Sequence, residues 1–214
     1  MIVVIGAVFA RGTGTDAVPG GLAAGIALAA AAAEARVELV VRIGDDPAGD
    51  AVLLAFAAAG VGHVATLRDP ARATPVAPVE ADTIDIDPDV AAEADTPATA
   101  EPQDGAPTLD SGDVDLALRY LSDYRVIVVV HPTEAILPEV IAAADYAGAH
   151  LVVVADPDGA APDALPTAAL VVEAADDAAG FGDLLGRYAA AVDLGEAPAT
   201  AFAMLSGVAN SGRP

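Results

Sequence analysis

The sequence predicts a doubly wound α/β fold, a mostly parallel sheet with helices on both faces. Three observations carry that expectation. Short runs rich in Val and Ile recur without polar alternation, as strands buried on both faces of a parallel sheet require. Longer stretches with helical start and stop signals separate these runs. With 214 residues, the chain has the length of one large domain, or of one domain carrying an insertion.

In order along the chain, the first strand is expected at Ile2 to Ala7. Gly20 and Gly21 then lead into a helix from Gly21 to Ala35 that is apolar all round and therefore belongs in a buried position. Glu38 to Ile43 is the second strand. Asp46 and Pro47 supply an N-cap and first turn, the helix continues through Leu53, Leu54 and Phe56, and Gly60 stops it. Asp110 or Ser111 caps a helix through Leu116, Leu118 and Leu121. Strands at Val126 to Val130 and Leu151 to Ala155 flank a helix over about Ala135 to Ala147. Two further helices, Gly182 to Val192 and Ala197 to Val208, close the chain.

Residues 69–112 break this alternation. They hold seven Pro, many Asp and Thr and a single base, Arg72, a composition that cannot fill a core. The expectation is a core built from residues 1–68 and 113–214. Residues 69–112 then form either a flap over the sheet or a mobile acidic insertion, with Thr83 to Asp87 (TIDID) as its one stretch of strand period. An unpaired edge there could be covered by a second chain, so a homodimer is expected.

Composition excludes several functions. The chain carries 32 Asp and Glu against nine basic residues, all of them Arg, for a net charge of -23. Such a field repels nucleic-acid backbones and anionic headgroups, so neither nucleic acid nor a membrane surface is an expected partner. About a quarter of the residues are Ala and none is Lys, a pattern that fits a halophile's protein working in a salt-rich cytoplasm. Without Cys there are no disulfides, zinc thiolates or cysteine nucleophiles. His63, His131 and His150 show no metal-ligand spacing and read as ordinary surface or strand-end histidines. The longest apolar run, Leu22 to Ala35, is shorter than the ~20 residues of a membrane span. A soluble, cytoplasmic protein is therefore expected.

Gly12 to Ala17 fits a GxGxxA fingerprint by its letters, but Pro19 and Gly20 prevent a helix from opening directly behind it. A P-loop is impossible without Lys. Gly180-Phe181-Gly182-Asp183 carries more chemistry. Two glycines at a helix start let backbone amides approach an anion, and the next residue is a carboxylate that could act as a base. An anion hole beside a base is the minimum apparatus for phosphoryl transfer to an alcohol. Alternatively, glycine supplies a bend there and Asp183 caps the helix.

The sequence resembles the ribokinase-like PfkB family of carbohydrate and nucleoside kinases, in motif order as well as content. Val18-Pro19-Gly20-Gly21-Leu22-Ala23-Ala24-Gly25 is similar to the family's glycine-pair substrate motif, and Gly44-Asp45-Asp46-Pro47-Ala48-Gly49 to its GxDxxG element. Thr74 stands where members carry a Thr before lid strands, and Asp156 resembles their strand-end Asp. Asp177 to Asp183 looks like the DTxGAGD signature. The resemblance implies an ATP- and Mg2+-dependent kinase acting on a sugar or nucleoside, with Asp183 as catalytic base and Gly180, Phe181 and Gly182 as anion hole. It places substrate contacts at Asp16, Gly20, Gly21 and Gly25, and weak metal contacts at Glu173 and Asp176. Gly25 replaces the family's substrate-contacting Asn, and no separate strands stand between Glu173 and the signature. A kinase-derived binding or assembly module without catalysis is therefore the competing expectation.

Overall fold

The computed structural model describes residues 1–14, 17–78, 105–156, 165–175 and 177–203. TIDID lies outside them, as does the last part of the expected C-terminal helix, of which residues 198–203 are helical. Besides the helical residues 198–203, nine strands and five helices run through the described residues. The strands are β1 (Ile2–Ile5), β2 (Phe9–Arg11), β3 (Val18–Gly20), β4 (Val37–Gly44), β5 (Thr66–Asp69), β6 (Val76–Ala77), β7 (Val126–Val130), β8 (His150–Ala155) and β9 (Leu170–Glu173). The helices are α1 (Leu22–Ala32), α2 (Pro47–Ala58), α3 (Ser111–Tyr120), α4 (Leu137–Ala147) and α5 (Ala178–Asp193).

Six strands form one sheet in the order β5-β4-β1-β7-β8-β9, and every pairing in it is parallel. The doubly wound α/β fold is what the sequence predicts, and the physical reason lies in the strand composition. Alternate residues of β1 serve two cores: Ile2 and Val4 face one, Val3 and Ile5 the other. β7 divides in the same way, Val126, Val128 and Val130 against Ile127 and Val129. Such strands have no polar face to spare, and helices must cover both sides. α1, α2 and α5 cover the first face; α3 and α4 cover the second.

β2, β3 and β6 make a separate three-stranded sheet, β3-β2-β6, with β3 antiparallel and β6 parallel to β2. The described part of the Pro-rich segment thus returns to the N-terminal third of the chain. Val18 and Val76 leave apolar side chains exposed on this small sheet.

α1 lies buried between the six-stranded sheet and α5, with Ala23, Ala24, Ile26, Ala27 and Ala30 all fully enclosed. Its Ala and Gly content is the cause: only small side chains let a helix sit that close to neighbours on two sides. Among the described residues no helix is long and apolar enough to cross a membrane.

Thirty-two acidic groups cannot all be paired by nine Arg. Mutual repulsion over ~10 Å at 0.1 M salt contracts to ~3 Å at 1 M. The midpoint of urea unfolding is therefore expected to rise between dilute buffer and molar KCl, and a midpoint unchanged by salt would refute this electrostatic account.

Candidate functional site at the carboxyl edge of the sheet

All six parallel strands end on one side of the sheet, where open α/β sheets hold their ligands. The order reverses at β1: the chain goes next to β4 and β5 on one flank and later to β7, β8 and β9 on the other. Gly6 follows β1 at this point. A Cβ there would lie 2.9 Å from the Cβ of Ala23 on α1 and 3.1 Å from that of Val130 on β7, so three elements converge on one residue. Beyond β7 and β8 stand His131 and Asp156, with Nδ1 and Oδ1 3.3 Å apart.

Gly20 and Gly21 hold the start of α1 at this edge. Gly20 is buried opposite Phe9, whose ring occupies the space any side chain would need. Gly21 is the N-cap of α1 at φ 99, a left-handed backbone suited to glycine, and no side chain caps the helix. Asp16 lies outside the described residues. Gly25 sits one turn into α1, where the helix touches α5 at Gly182: a Cβ on Gly182 would lie 3.5 Å from the Gly25 Cα.

The structure therefore brings Gly25, one of the expected substrate glycines, against Gly182. It also moves the start of the second helix. α5 begins at Ala178 and not at Gly182, because Asp177 caps it with a carboxylate oxygen 3.0 Å from the Gly180 amide. The Phe181 amide donates to the Asp177 carbonyl oxygen at 3.0 Å, and the Phe181 ring packs on the core around α1. Asp183 is about half exposed in the second turn, and the guanidinium of Arg187 grips both its oxygens at 3.1 and 3.2 Å. Glu173 ends β9 exposed, in register with Ala155. Asp176 lies outside the described residues, and among those described no three acidic or His side chains cluster as metal ligands.

A second cluster lies after β4. Thr74 is 3% exposed, and its Oγ1 accepts the Gly44 amide at 2.9 Å. Asp46 caps α2 by accepting the Gly49 amide at 2.8 Å and accepts the Thr74 amide at 2.7 Å. Side chains at Gly44 or Gly49 would collide with this knot. The GxDxxG element and the distant Thr thus form one clamp that joins β4, α2 and the chain leaving β5. Arg68 adds ion pairs to Asp45 and Asp50. Arg72 reaches forward to the Ala106 carbonyl oxygen at 3.0 Å.

Burial opposes charge on Asp46, but the amides of Gly49 and Thr74, the Thr74 hydroxyl and the field of Arg68 outweigh it and hold its pKa below 3.8. A carboxyl whose pKa is lowered by folding stabilises the fold above its unfolded pKa, and that contribution fades as pH falls through the folded value. Asp46→Ala, which leaves two amides without acceptors, should cost about 2 kcal/mol at pH 7. The difference from wild type should narrow below about pH 4 in pH-dependent urea titrations. A constant difference down to the acid transition would show that the Asp46 charge carries none of it.

His131 and Asp156 are the pair that sequence reasoning missed as a unit. Asp156 is legible as a strand-end carboxylate, but His131 reads as an ordinary strand-end residue until its backbone is seen. A groove of about 680 Å3 lies elsewhere, between α3 and α4, lined among others by Leu118, Tyr124 and Tyr146, and holds none of these groups.

No family model and no curated protein matches the chain by sequence. Solved structures do match it. An E. coli protein assigned as Ribokinase II, in complex with ATP and Mg2+, superposes with a TM-score of 0.63 at 14% identity, over 95% of this chain and 89% of that one. Fructokinase from Xylella fastidiosa gives 0.52 at 17% identity, over 96% and 66%. Sa239 gives 0.58 at 16% identity, over 80% and 60%. The fold is ribokinase-like, the α/β fold that the E. coli protein and the fructokinase share. This chain spans 60% of the length of Sa239 and 66% of that of the fructokinase.

Proposed function

We propose that the chain is a carbohydrate or nucleoside kinase that transfers a phosphoryl group from ATP to a hydroxyl. The observation that carries this reading is the contact of Gly25 with Gly182, which sets the starts of α1 and α5 side by side at the carboxyl edge. Asp16, Gly20, Gly21 and Gly25 border the acceptor, and Asp183 takes its proton. Of the three anion-hole amides only that of Gly180 faces the transferred group, once Asp177 releases it, because the Phe181 amide is held by the Asp177 carbonyl oxygen and Gly182 lies within the helix. Mg2+, which asks for only one or two carboxylates beside phosphate oxygens and water, would be held by Glu173 and Asp176.

A second reading, a binding or assembly module without catalysis, is favoured by the same helix. Asp177 satisfies the Gly180 amide, Arg187 holds Asp183, and four residues separate β9 from α5, leaving no strand between them for a nucleotide wall. The test is ADP formation from ATP and Mg2+ with a panel of sugars and nucleosides in molar salt, run beside calorimetry for ATP. Turnover supports the kinase. Sugar binding without any ATP binding at millimolar concentration supports the module. Val18 and Val76 on the small sheet favour a homodimer, which light scattering in the same buffer would measure.

A further inference from the structure

The groove of about 680 Å3 between α3 and α4 lies on the face of the sheet opposite to α1 and α5. Its volume is that of a small-molecule site. Leu118 and Leu121 give it an apolar side, and two tyrosines line it as well. The Tyr146 ring is 95% exposed and packs on neither core. Tyr124 is only 7% exposed, yet the one partner of its hydroxyl among the described residues is the Ala143 carbonyl oxygen at 3.5 Å, well beyond the ~2.5 to 3.0 Å of an O–H···O bond. A hydroxyl so enclosed and so loosely held calls for a nearer partner. Burial, and after it the nearby Tyr146 phenol, holds its pKa above 10, so it remains a neutral hydroxyl with lone pairs to offer.

The charge of the groove selects the occupant. Asp115, Asp123 and Glu139 line it against a single cation, Arg119, and Arg119 is taken: its Nε donates to Asp115 at 2.8 Å. The carboxylates of Asp123 and Glu139 have no ion-pair or hydrogen-bond partner among the described residues. An anion would be repelled here. A second copy of the chain would, across a two-fold axis, set these carboxylates against themselves. An alkylammonium ion answers every group at once. Its N–H donors serve the carboxylates and the Tyr124 oxygen, its charge favours an aromatic face such as that of Tyr146, and its methylenes cover the leucines.

We propose that the groove between α3 and α4 binds a small aliphatic amine in its ammonium form. Asp123 and Glu139 are its counter-ions, the Tyr124 hydroxyl accepts a hydrogen bond from it, and Tyr146 is its aromatic wall. The site shares no residue with the carboxyl edge and does not depend on the kinase reading.

The probe is cadaverine, a linear diamine, titrated by calorimetry into the full chain in molar KCl, where a Debye length of ~3 Å removes the diffuse attraction of a net charge of -23. Pentanol, of the same chain length without charge, is the control. Cadaverine is expected to bind and pentanol is not. Asp123→Asn combined with Glu139→Gln is expected to weaken cadaverine binding at least tenfold, and Asn suits the φ 63 of residue 123. Glu139→Gln alone and Tyr124→Phe should each weaken it at least threefold. Tyr146→Ala should do the same with an unchanged thermal midpoint, since the ring is exposed. Glu196→Gln removes an equal charge beyond the end of α5 and should leave the affinity as it is. A wild type that does not bind cadaverine at millimolar concentration overturns the inference, as does pentanol binding as tightly or an equal loss in Glu196→Gln. A dimer in light scattering that Tyr146→Ala dissolves would give this face to a second copy and overturn it too. Should Tyr124→Phe fail to fold, the double variant at Asp123 and Glu139 decides alone.

Discussion

Gly186→Val should destabilise the chain by more than about 3 kcal/mol, enough to consume a large part of the ~5 to 15 kcal/mol of a typical domain. A Cβ at Gly186 would lie 2.6 Å from the Ala29 Cβ, 2.6 Å from the Ile26 carbonyl oxygen and 2.8 Å from the Ala30 amide nitrogen. Two of these three atoms are backbone of α1 and cannot rotate away. α1 cannot retreat either, because its other side is pressed on the sheet by Ala23, Ala27 and their neighbours. α5 would have to lift, and with it Leu185, Tyr188 and Ala189 would leave the core. Gly186→Ala should cost less, since better helix propensity returns up to about 1 kcal/mol. Gly112→Ala in α3 is the control of opposite sign: its Cβ would meet only a carboxylate oxygen of Asp110 at 3.3 Å, and the propensity gain should prevail. Urea unfolding of the three variants measures this, and equal midpoints for Gly186→Val and wild type would refute the contact.

The same glycine shows why the fold was legible and the helix start was not. β1, β7 and β8 declare themselves because burial on both faces demands runs of Val, Ile and Leu, and β4 does so through Leu39, Val40, Val41 and Ile43 although Glu38 and Arg42 interrupt it. β5 and β9 carry only four residues each at the two edges of the sheet, and β9 alternates in exposure, so their sequences lack that run. β2, β3 and β6 are shorter still, and β3 contains Pro19, which argues against a strand except at an edge, where it lies. Glycines at 180 and 182 read from sequence as a bend or a phosphate-binding helix entry, and Gly186 only as a residue of the expected helix from Gly182 to Val192. In the fold Gly182 and Gly186 are interior helix residues chosen for contact with α1.

Site residues divide along a similar line. Gly44, Asp46, Gly49 and Thr74 are legible as motif letters, and the clamp they form explains the spacing: a cap at Asp46 has a second oxygen free for a chain that returns from β5. His131 carries no such signal. Its left-handed backbone and its carboxylate partner arise from two strand ends set side by side by β7 and β8, a relation between residues 25 positions apart that no local pattern encodes.

Asp183→Asn should lower turnover by roughly 10²-fold or more if this carboxylate is the base, with little change in sugar affinity. Its structural cost should be small. Asp183 and Arg187 are an exposed i,i+4 pair, and such pairs contribute about 0.3 to 0.5 kcal/mol. Asn keeps the shape but cannot accept a proton from the acceptor hydroxyl. Arg187→Ala separates the two readings of the pair. When Asp183 works as a base, the bidentate guanidinium competes with substrate for its oxygens, so removing it should preserve or raise turnover. When the pair only decorates the helix surface, both variants should match wild type in ADP formation and unfold within a few tenths of a kcal/mol of it. Wild-type turnover retained in Asp183→Asn would remove the base from α5 and direct the search for it to the strand ends, where His131, Asp156 and Glu173 are among the groups that can accept a proton.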